Sequence, residues 1–209
     1  MWYGQLEEDR RLREMLGPRE QGFYLDIGAC EPVHHSVTMH FYESGWHGIN
    51  VEPVPWICEQ LRSERPRDLS LCCAISDVPE IRTFNFIVGT QLSTFDSENL
   101  ATMSPGREVV EFPVNCLTLA QLCQIHISPQ QPIDFLKIDV EGWERHVLAG
   151  ADWATYRPKI ILLEAVKPCS TTPTHGEWED LLTAAEYDFL TTDDFNRWYI
   201  DRHNAEIAS

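Results

Sequence analysis

The sequence has no apolar run close to the roughly 20 residues that a membrane-spanning helix needs, so it predicts no transmembrane segment. Residues 1–13 are polar and carry charges of both signs, without the apolar core of a secretory signal peptide. Lysine and arginine number 16 against 33 acidic residues, a formal net charge of −17. Because binding to phosphate backbones requires clustered cations, we expect no nucleic-acid partner and favour a neutral or cationic substrate.

Cysteine patterns typical of zinc sites or of a disulfide framework are also missing. The seven cysteines cannot all pair within the chain, and several lie in apolar runs, where a free thiol behaves as a small hydrophobic group. We therefore predict a reduced, cytoplasmic protein without a structural metal site. With 209 residues and no repeat, low-complexity tract or linker, we expect a single domain spanning 1–209, in which residues 1–20 supply an N-terminal covering helix.

Strand and helix patterns alternate along most of the chain, which predicts an α/β fold with a mostly parallel sheet. The expected strands are 23–26, 48–51, 69–74, 81–88, 109–114, 133–139, 159–164, 187–192 and 198–201. The expected helices are 5–16, 36–44, 53–65, 119–125, 144–150 and 177–186. The last two strands should form an antiparallel hairpin, the apolar strand 159–164 should lie at the sheet centre, and 89–107 should be a mobile loop over the site.

Two acidic side chains stand at the ends of the first two predicted strands. Asp26 precedes a turn at Gly28, and the next strand ends in Glu52 and Pro53. In open α/β sheets, ligands bind beyond the carboxyl ends of the strands, where a second acid can hold ribose hydroxyls through its two acceptor oxygens. We therefore predict a nucleoside cofactor here. An alternative role for Glu52 is that of an acid interacting with the N-terminus of the following helix.

Longer runs of residues make the chain resemble the FkbM family of S-adenosylmethionine-dependent methyltransferases over about residues 22–201. The matching runs are YLDIGACEP, FYESGW-GINVEP, AISD, CLTL, IDFLKIDVEGWERHVLAG, IILLEA and the C-terminal hairpin. The resemblance implies a class I, Rossmann-like fold with a seven-stranded, mostly parallel sheet and an antiparallel C-terminal hairpin. It also implies O-methylation of a hydroxyl on a small-molecule or glycan acceptor, such as a sugar or a polyketide-derived natural product.

The same resemblance suggests which residues hold the cofactor. The turn at Gly28 and Ala29 would bring backbone N–H groups near the methionine end of S-adenosylmethionine, and Asp26 would face its ammonium group. Ser76 and Asp77 resemble the position that contacts the adenine edge in the family, although Ser-Asp is also a common turn.

Asp139 follows the strand that would face the transferable methyl group. Methyl transfer is an in-line displacement at carbon, so the enzyme must align the acceptor oxygen and remove its proton. Asp139, Glu141 and Glu164 are candidates for that base, with helix capping or pairing to a lysine as the alternative. His35, beside His34 in the first turn, is a further candidate because histidine exchanges protons near neutral pH.

The three carboxylates could also hold a magnesium ion, because hard oxygen ligands suit it. The strands of the site lack the Asp-Asp pair that would strengthen this case, since Asp193 and Asp194 lie in the hairpin. We therefore predict no metal. Two other functions remain open, a non-catalytic methyltransferase-fold binding protein and a nicotinamide-dependent oxidoreductase. The absence of a full Gly-x-Gly-x-x-Gly weakens the second.

Overall fold

The computed structural model describes residues 1–204 as two β-sheets with helices packed around them. The strands, in chain order, are β1 Phe23–Ile27, β2 His47–Val51, β3 Leu69–Leu71, β4 Ala74–Ser76, β5 Glu80–Ile87, β6 Ser93–Thr94, β7 Val109–Thr118, β8 Ile133–Ile138, β9 Pro158–Glu164, β10 Tyr187–Thr192 and β11 Asn196–Asp201. The helices are α1 Glu8–Leu16, α2 Met39–Glu43, α3 Pro55–Glu64, α4 Ser97–Met103, α5 Leu119–His126, α6 Glu144–Ala149 and α7 Glu179–Ala184, with a 3₁₀ turn at His175–Glu177.

The main sheet has seven strands in the order β10-β11-β9-β8-β1-β2-β3. Strands β3, β2, β1, β8 and β9 are parallel, while β11 runs antiparallel to both β9 and β10. The predicted mostly parallel sheet and C-terminal hairpin are therefore present. The prediction that β9 is central was wrong, because β8 holds that place. Both strands are inside the sheet and buried along most of their length, so apolarity does not distinguish them.

The smaller sheet, in the order β4-β7-β5-β6, was not predicted. The single strand predicted at 69–74 is in fact two short strands, because β3 ends at Leu71 and β4 pairs with β7. The predicted loop at 89–107 contains β6 and α4. Asp96 caps α4 by accepting hydrogen bonds from the backbone N–H groups of Glu98 and Asn99. Both elements are too short to show a period in the sequence.

Hydrophobic side chains cover both faces of the main sheet. One cluster contains Leu25, Leu136 and Ile161, and the other joins Leu12 of α1 to Trp46 and Phe135. The N-terminal helix therefore packs on the sheet. None of the helices in residues 1–204 combines the length and apolarity needed to cross a membrane.

Candidate active site

A cavity opens at the edge where β1, β2, β8 and β9 end. Parallel strands place their carboxyl ends at one edge, so side chains from distant parts of the sequence meet there. Residues that line this cavity include Gly28, Glu52, Lys137, Asp139 and Glu164. Most of the residues that were predicted to hold a cofactor or to act in catalysis are thus brought to one place.

The turn after β1 brings two strand ends into close contact at Gly28. Its φ of +78° lies in the left-handed region, and a Cβ atom added there would overlap the carbonyl oxygen of Asp139. The N–H groups of Gly28 and Ala29 both donate to the carbonyl oxygen of Val51, at 3.0 Å each. Both N–H groups are therefore occupied by the contact between β1 and β2, which continues into the turn. Gly28 and Ala29 nevertheless line the cavity, and their place near the methionine end of a cofactor stays a prediction.

Glu52 follows β2 and is 4% exposed. Its Oε2 accepts a hydrogen bond from the N–H of Cys30 at 3.0 Å, and its Oε1 accepts one from the N–H of Val54 at 2.8 Å. Burial raises the pKa of Glu52 to about 7, although both hydrogen bonds act in the opposite direction. The carboxylate is thus fixed from two sides in the cavity wall. Pro53, predicted to contact a cofactor, lines the same cavity.

Asp26 lies below the cavity and, among the described residues, is not one of those that line it. Its Oδ2 accepts a hydrogen bond from the hydroxyl of Thr38 at 2.8 Å, and its Oδ1 lies 3.3 Å from the Nζ of Lys137. Lys137 also donates to the carbonyl oxygen of Gly28 at 2.6 Å and lies 3.6 Å from a carboxylate oxygen of Asp139. Burial alone would lower the pKa of Lys137, but the carboxylates of Asp26 and Asp139 outweigh it and raise this pKa. The structure therefore pairs Asp26 with a lysine inside the protein.

Three carboxylates meet where β8 and β9 end. Asp139, Glu141 and Glu164 each offer an oxygen, and these oxygens all lie within 4.8 Å of one another. Burial, followed by the charge of Asp139, raises the pKa of Glu141 to about 8. The same two causes raise the pKa of Glu164 well above its usual value. A carboxyl group whose pKa lies near neutrality can accept a proton during a reaction at that pH.

Glu144, in the first turn of α6, holds the backbone beneath this cluster and was not predicted. It is 3% exposed, and its Oε1 accepts hydrogen bonds from the N–H groups of Val140 and Gly142 at 3.3 and 3.2 Å. Glu141, between those two residues, has a φ of +53°. The sequence signal that could have identified this role is the Glu-Gly-x-Glu spacing, which places an acid in the first helical turn.

Ser76 and Asp77 do not line the cavity in the described part of the chain. The hydroxyl of Ser76 accepts a hydrogen bond from the indole N–H of Trp143 at 3.3 Å and donates to Asp77 at 3.0 Å. Ala74 and Ile75, earlier in the same strand, line the cavity instead. Because β4 belongs to the smaller sheet, its end is not one of the four main-sheet ends that surround the cavity.

His34 and His35 also line the cavity. The Nδ1 of His35 lies 3.3 Å from the amide nitrogen of Gln5 and 3.4 Å from the amide oxygen of Gln91. Gln5, Gln91 and Asn196 also line the cavity, and sequence reasoning missed all three as individual residues. They come from the N-terminal segment, the loop between β5 and β6, and the hairpin, and no local pattern connects them.

A comparison with protein families shows which group shares this arrangement. The model of the FkbM methyltransferase domain matches residues 26–189, which include both strand ends that carry Glu52 and Asp139. The chain belongs to the FkbM methyltransferase family. The family predicted from the sequence runs is thus confirmed, and this FkbM chain is a methyltransferase. None of the curated proteins compared with it matches it significantly.

Solved structures resemble this FkbM methyltransferase in fold. A TehB-like S-adenosylmethionine-dependent methyltransferase from Corynebacterium glutamicum aligns with a TM-score of 0.50 and 7% identity, over 93% of this chain and 88% of the other. A domain assigned as a precorrin-6Y C5,15-methyltransferase, from Corynebacterium diphtheriae, has a TM-score of 0.43 and 12% identity, over 95% of this chain and 99% of the other. At these identities the likeness of the first concerns the fold alone.

Proposed function

We propose that the protein is a class I methyltransferase that uses S-adenosylmethionine to methylate a hydroxyl group of a sugar, a glycan, or a glycosylated or polyketide-type natural product. The observation that carries the proposal is the convergence of Glu52 with Asp139, Glu141 and Glu164 in one cavity at the carboxyl edge of the sheet. The sheet order and the antiparallel last strand support the class, and we propose that residues 1–209 form one such domain.

The wall that contains Glu52 fits a ribose. Two backbone N–H groups hold its carboxylate in place, and each carboxylate oxygen can accept a further hydrogen bond from a ribose hydroxyl. Ala74 and Ile75 give the same cavity an apolar surface suited to a flat base. When it is bound, S-adenosylmethionine supplies a methyl group on a sulfonium, and nearby carboxylates favour a ligand that carries positive charge.

Other residues that line the cavity fit a polyhydroxyl acceptor. The amide groups of Gln5, Gln91 and Asn196 can each donate and accept hydrogen bonds with hydroxyl groups. Glu141, with its pKa raised to about 8, can take a proton from an acceptor hydroxyl once it is ionised. We propose Asp139, Glu141 and Glu164 as the group from which this base comes, with His35, which also lines the cavity, as the other candidate.

Calorimetry with S-adenosylhomocysteine tests the cofactor half of the proposal. We expect the parent protein to bind it and Glu52→Ala to weaken binding by about 30- to 100-fold, because hydrogen bonds to a charged group contribute roughly 1.5–3 kcal/mol. Glu31→Ala is the matched control, since Glu31 belongs to the turn after β1 but is not among the residues that line the cavity. Absence of binding by the parent, or equal binding by Glu52→Ala, would contradict the proposal.

An acceptor panel tests the other half. Methyl transfer from labelled S-adenosylmethionine should be measured with glycans and glycosylated natural products, and the position of the methyl group determined by mass spectrometry. Transfer to a hydroxyl supports the proposal. Cofactor binding without transfer to any acceptor would favour a non-catalytic methyltransferase-fold protein, and fluorescence changes with reduced nicotinamide cofactor would favour an oxidoreductase.

A further inference from the structure

The carboxylates at the ends of β8 and β9 have the composition of a cation site. Asp139 and Glu141 follow β8, while Glu164 is the last residue of β9, and the two strands are parallel neighbours. Their three oxygens lie within 4.8 Å of one another, a spacing that small adjustments of the side chains can close around one ion. All three donors are hard oxygen ligands of the kind that magnesium and manganese(II) prefer.

A second observation concerns one buried oxygen of this cluster. The Oε2 atom of Glu164 is buried and has no hydrogen-bond partner in the described part of the chain. A buried polar group left in this state costs about 1–3 kcal/mol, and more when it is charged. Such an atom, in a carboxylate that belongs to the cluster and lines the cavity, is suited to a ligand that enters the cavity.

The neighbouring lysine, Lys137, is not a partner for Glu164. The Nζ of Lys137 donates to the carbonyl oxygen of Gly28 at 2.6 Å and lies 3.3 Å from Asp26, and its distance from Asp139 is longer, at 3.6 Å. The ion pairs found in residues 1–204 do not include one between Lys137 and Glu141 or Glu164. Lys137 therefore pairs with the carboxylate on the β1 side and with Asp139, and it leaves Glu164, on the β9 side, without a cationic partner among the described residues.

We propose that Asp139, Glu141 and Glu164 bind one divalent cation of the magnesium class, in contrast to the prediction of no metal from the sequence. The side chain of Asp139 is 43% exposed, so the cavity side of the site is open to water. This suits magnesium, which usually keeps several waters and binds through few carboxylates. Binding of the ion does not depend on the proposed methyl transfer. If that function holds, the open positions would polarise an acceptor hydroxyl and lower its pKa.

Manganese(II) alone is the probe that tests the site, with the protein treated with chelator and then dialysed. Loss of the free-ion signal in electron paramagnetic resonance counts bound ions, and calorimetry with MgCl₂ measures the affinity for magnesium. We expect one specific ion per chain and, in Glu164→Gln, an affinity lower by about tenfold or more, because affinity follows the charge of the ligands. Titrations in about 0.15 M salt suppress weak binding to the acidic surface.

Glu111→Gln is the matched control. Glu111 is exposed on β7, and its substitution removes the same charge from a position outside the cavity. It should bind manganese(II) like the parent protein. Equal affinity of Glu164→Gln and the parent, or no specific ion in the parent, would overturn the proposal. If Glu164→Gln does not fold, as judged by circular dichroism, Asp139→Asn carries the same expectation.

Calorimetry of the parent with S-adenosylhomocysteine separates this inference from the proposed function. Binding of manganese(II) without binding of the nucleoside would support the ion site and contradict the cofactor assignment. Binding of the nucleoside without a specific ion would do the reverse.

Discussion

Two carboxylates at the same edge of the sheet, Glu52 and Glu164, have different surroundings. Glu52, after β2, has each oxygen held by a backbone N–H group at 2.8–3.0 Å. Glu164, at the end of β9, keeps one buried oxygen without a partner among the residues described and has two other carboxylates beside it. The first is fixed before any ligand arrives, whereas the second carries uncompensated charge.

This difference separates two kinds of recognition. A carboxylate fixed by backbone groups offers a constant pattern of acceptors, which suits a neutral ligand with hydroxyl groups. A carboxylate crowded by like charges gains most from a ligand that brings positive charge or a proton. Lys137 and Gly28 stand between the two, since Lys137 contacts both the carbonyl oxygen of Gly28 and the β8 end. Changes at these two residues should disturb both halves of the site.

The largest effect is expected from Lys137→Gln. The change leaves the buried Asp26 carboxylate without its cation, and breaking a buried ion pair in this way typically costs about 3–5 kcal/mol. Urea denaturation monitored by circular dichroism measures the free energy of unfolding. Lys159→Gln is the comparison variant and should lose about 1 kcal/mol, because Asp134 keeps its hydrogen bond from Phe23 and its ion pair with Arg19. Equal losses in the two variants would show that Lys137 does not compensate buried charge.

Gly28→Ala should follow, with a loss of about 3 kcal/mol or more. An added methyl group would overlap the carbonyl oxygen of Asp139 and push apart the strand ends that carry the two halves of the site. Gly89→Ala separates this contact from backbone strain. Gly89 has a similar φ of +76° with open space around it, so its substitution should cost only about 1–2 kcal/mol. Urea denaturation of both variants checks the difference, and a result in which Gly89→Ala costs as much would refute the steric explanation.

The pH dependence of stability distinguishes Glu52 from an ordinary surface acid. Its pKa is raised from 4.5 to about 7 in the folded protein, so the folded state binds an extra proton between these values. The stabilisation that Glu52 contributes is therefore fully present below about pH 4.5. It decreases by at most about 3 kcal/mol as the pH rises to about 7. Glu52→Gln removes this slope, while its amide can accept only one of the two N–H hydrogen bonds, at a cost of about 1–3 kcal/mol.

The measurable result is the difference in unfolding free energy between the parent protein and Glu52→Gln across this range. The parent should be the more stable of the two at pH 5, and its advantage should shrink steadily up to pH 8. A constant difference would mean that Glu52 ionises in the folded protein as it does in the unfolded chain.

Much of the main sheet could be predicted from the sequence because its signals are local. The buried runs of β1, β8 and β9 are bounded by turns, and the hairpin of β10 and β11 is marked by its polar turn. The smaller sheet was harder to predict from the sequence. The residues between Leu71 and Ala74 read as one continuous strand, although the chain changes from one sheet to the other there. That change depends on pairing with β7, more than 40 positions later in the sequence.

The candidate site, like the fold, could be predicted in part. Acids at strand ends such as Glu52 and Asp139 could be placed because parallel strands bring their ends together. The direction in which a side chain points could not be predicted. Asp26, for example, pairs with Lys137 below the cavity. Gln5 and Gln91 reach the cavity only through tertiary packing, so no spacing in the sequence connects them with the acids.

The smallest expected effect, and the one that sharpens the comparison most, comes from Glu164→Gln. Burial and the charges of Asp139 and Glu141 raise the pKa of Glu164, so its ionised form destabilises the fold. Once the pH is high enough to ionise Glu164, the variant should therefore gain about 1 kcal/mol in the presence of a chelator, because the amide carries no charge and can donate to its neighbours. Urea denaturation measures this gain, and the loss expected for Glu52→Gln is measured in the same way at pH 5. Two losses of equal size would mean that the protein stabilises both carboxylates alike. Opposite signs would show that the β2 end is built to keep its carboxylate in place, while the β9 end retains its charge at the expense of stability.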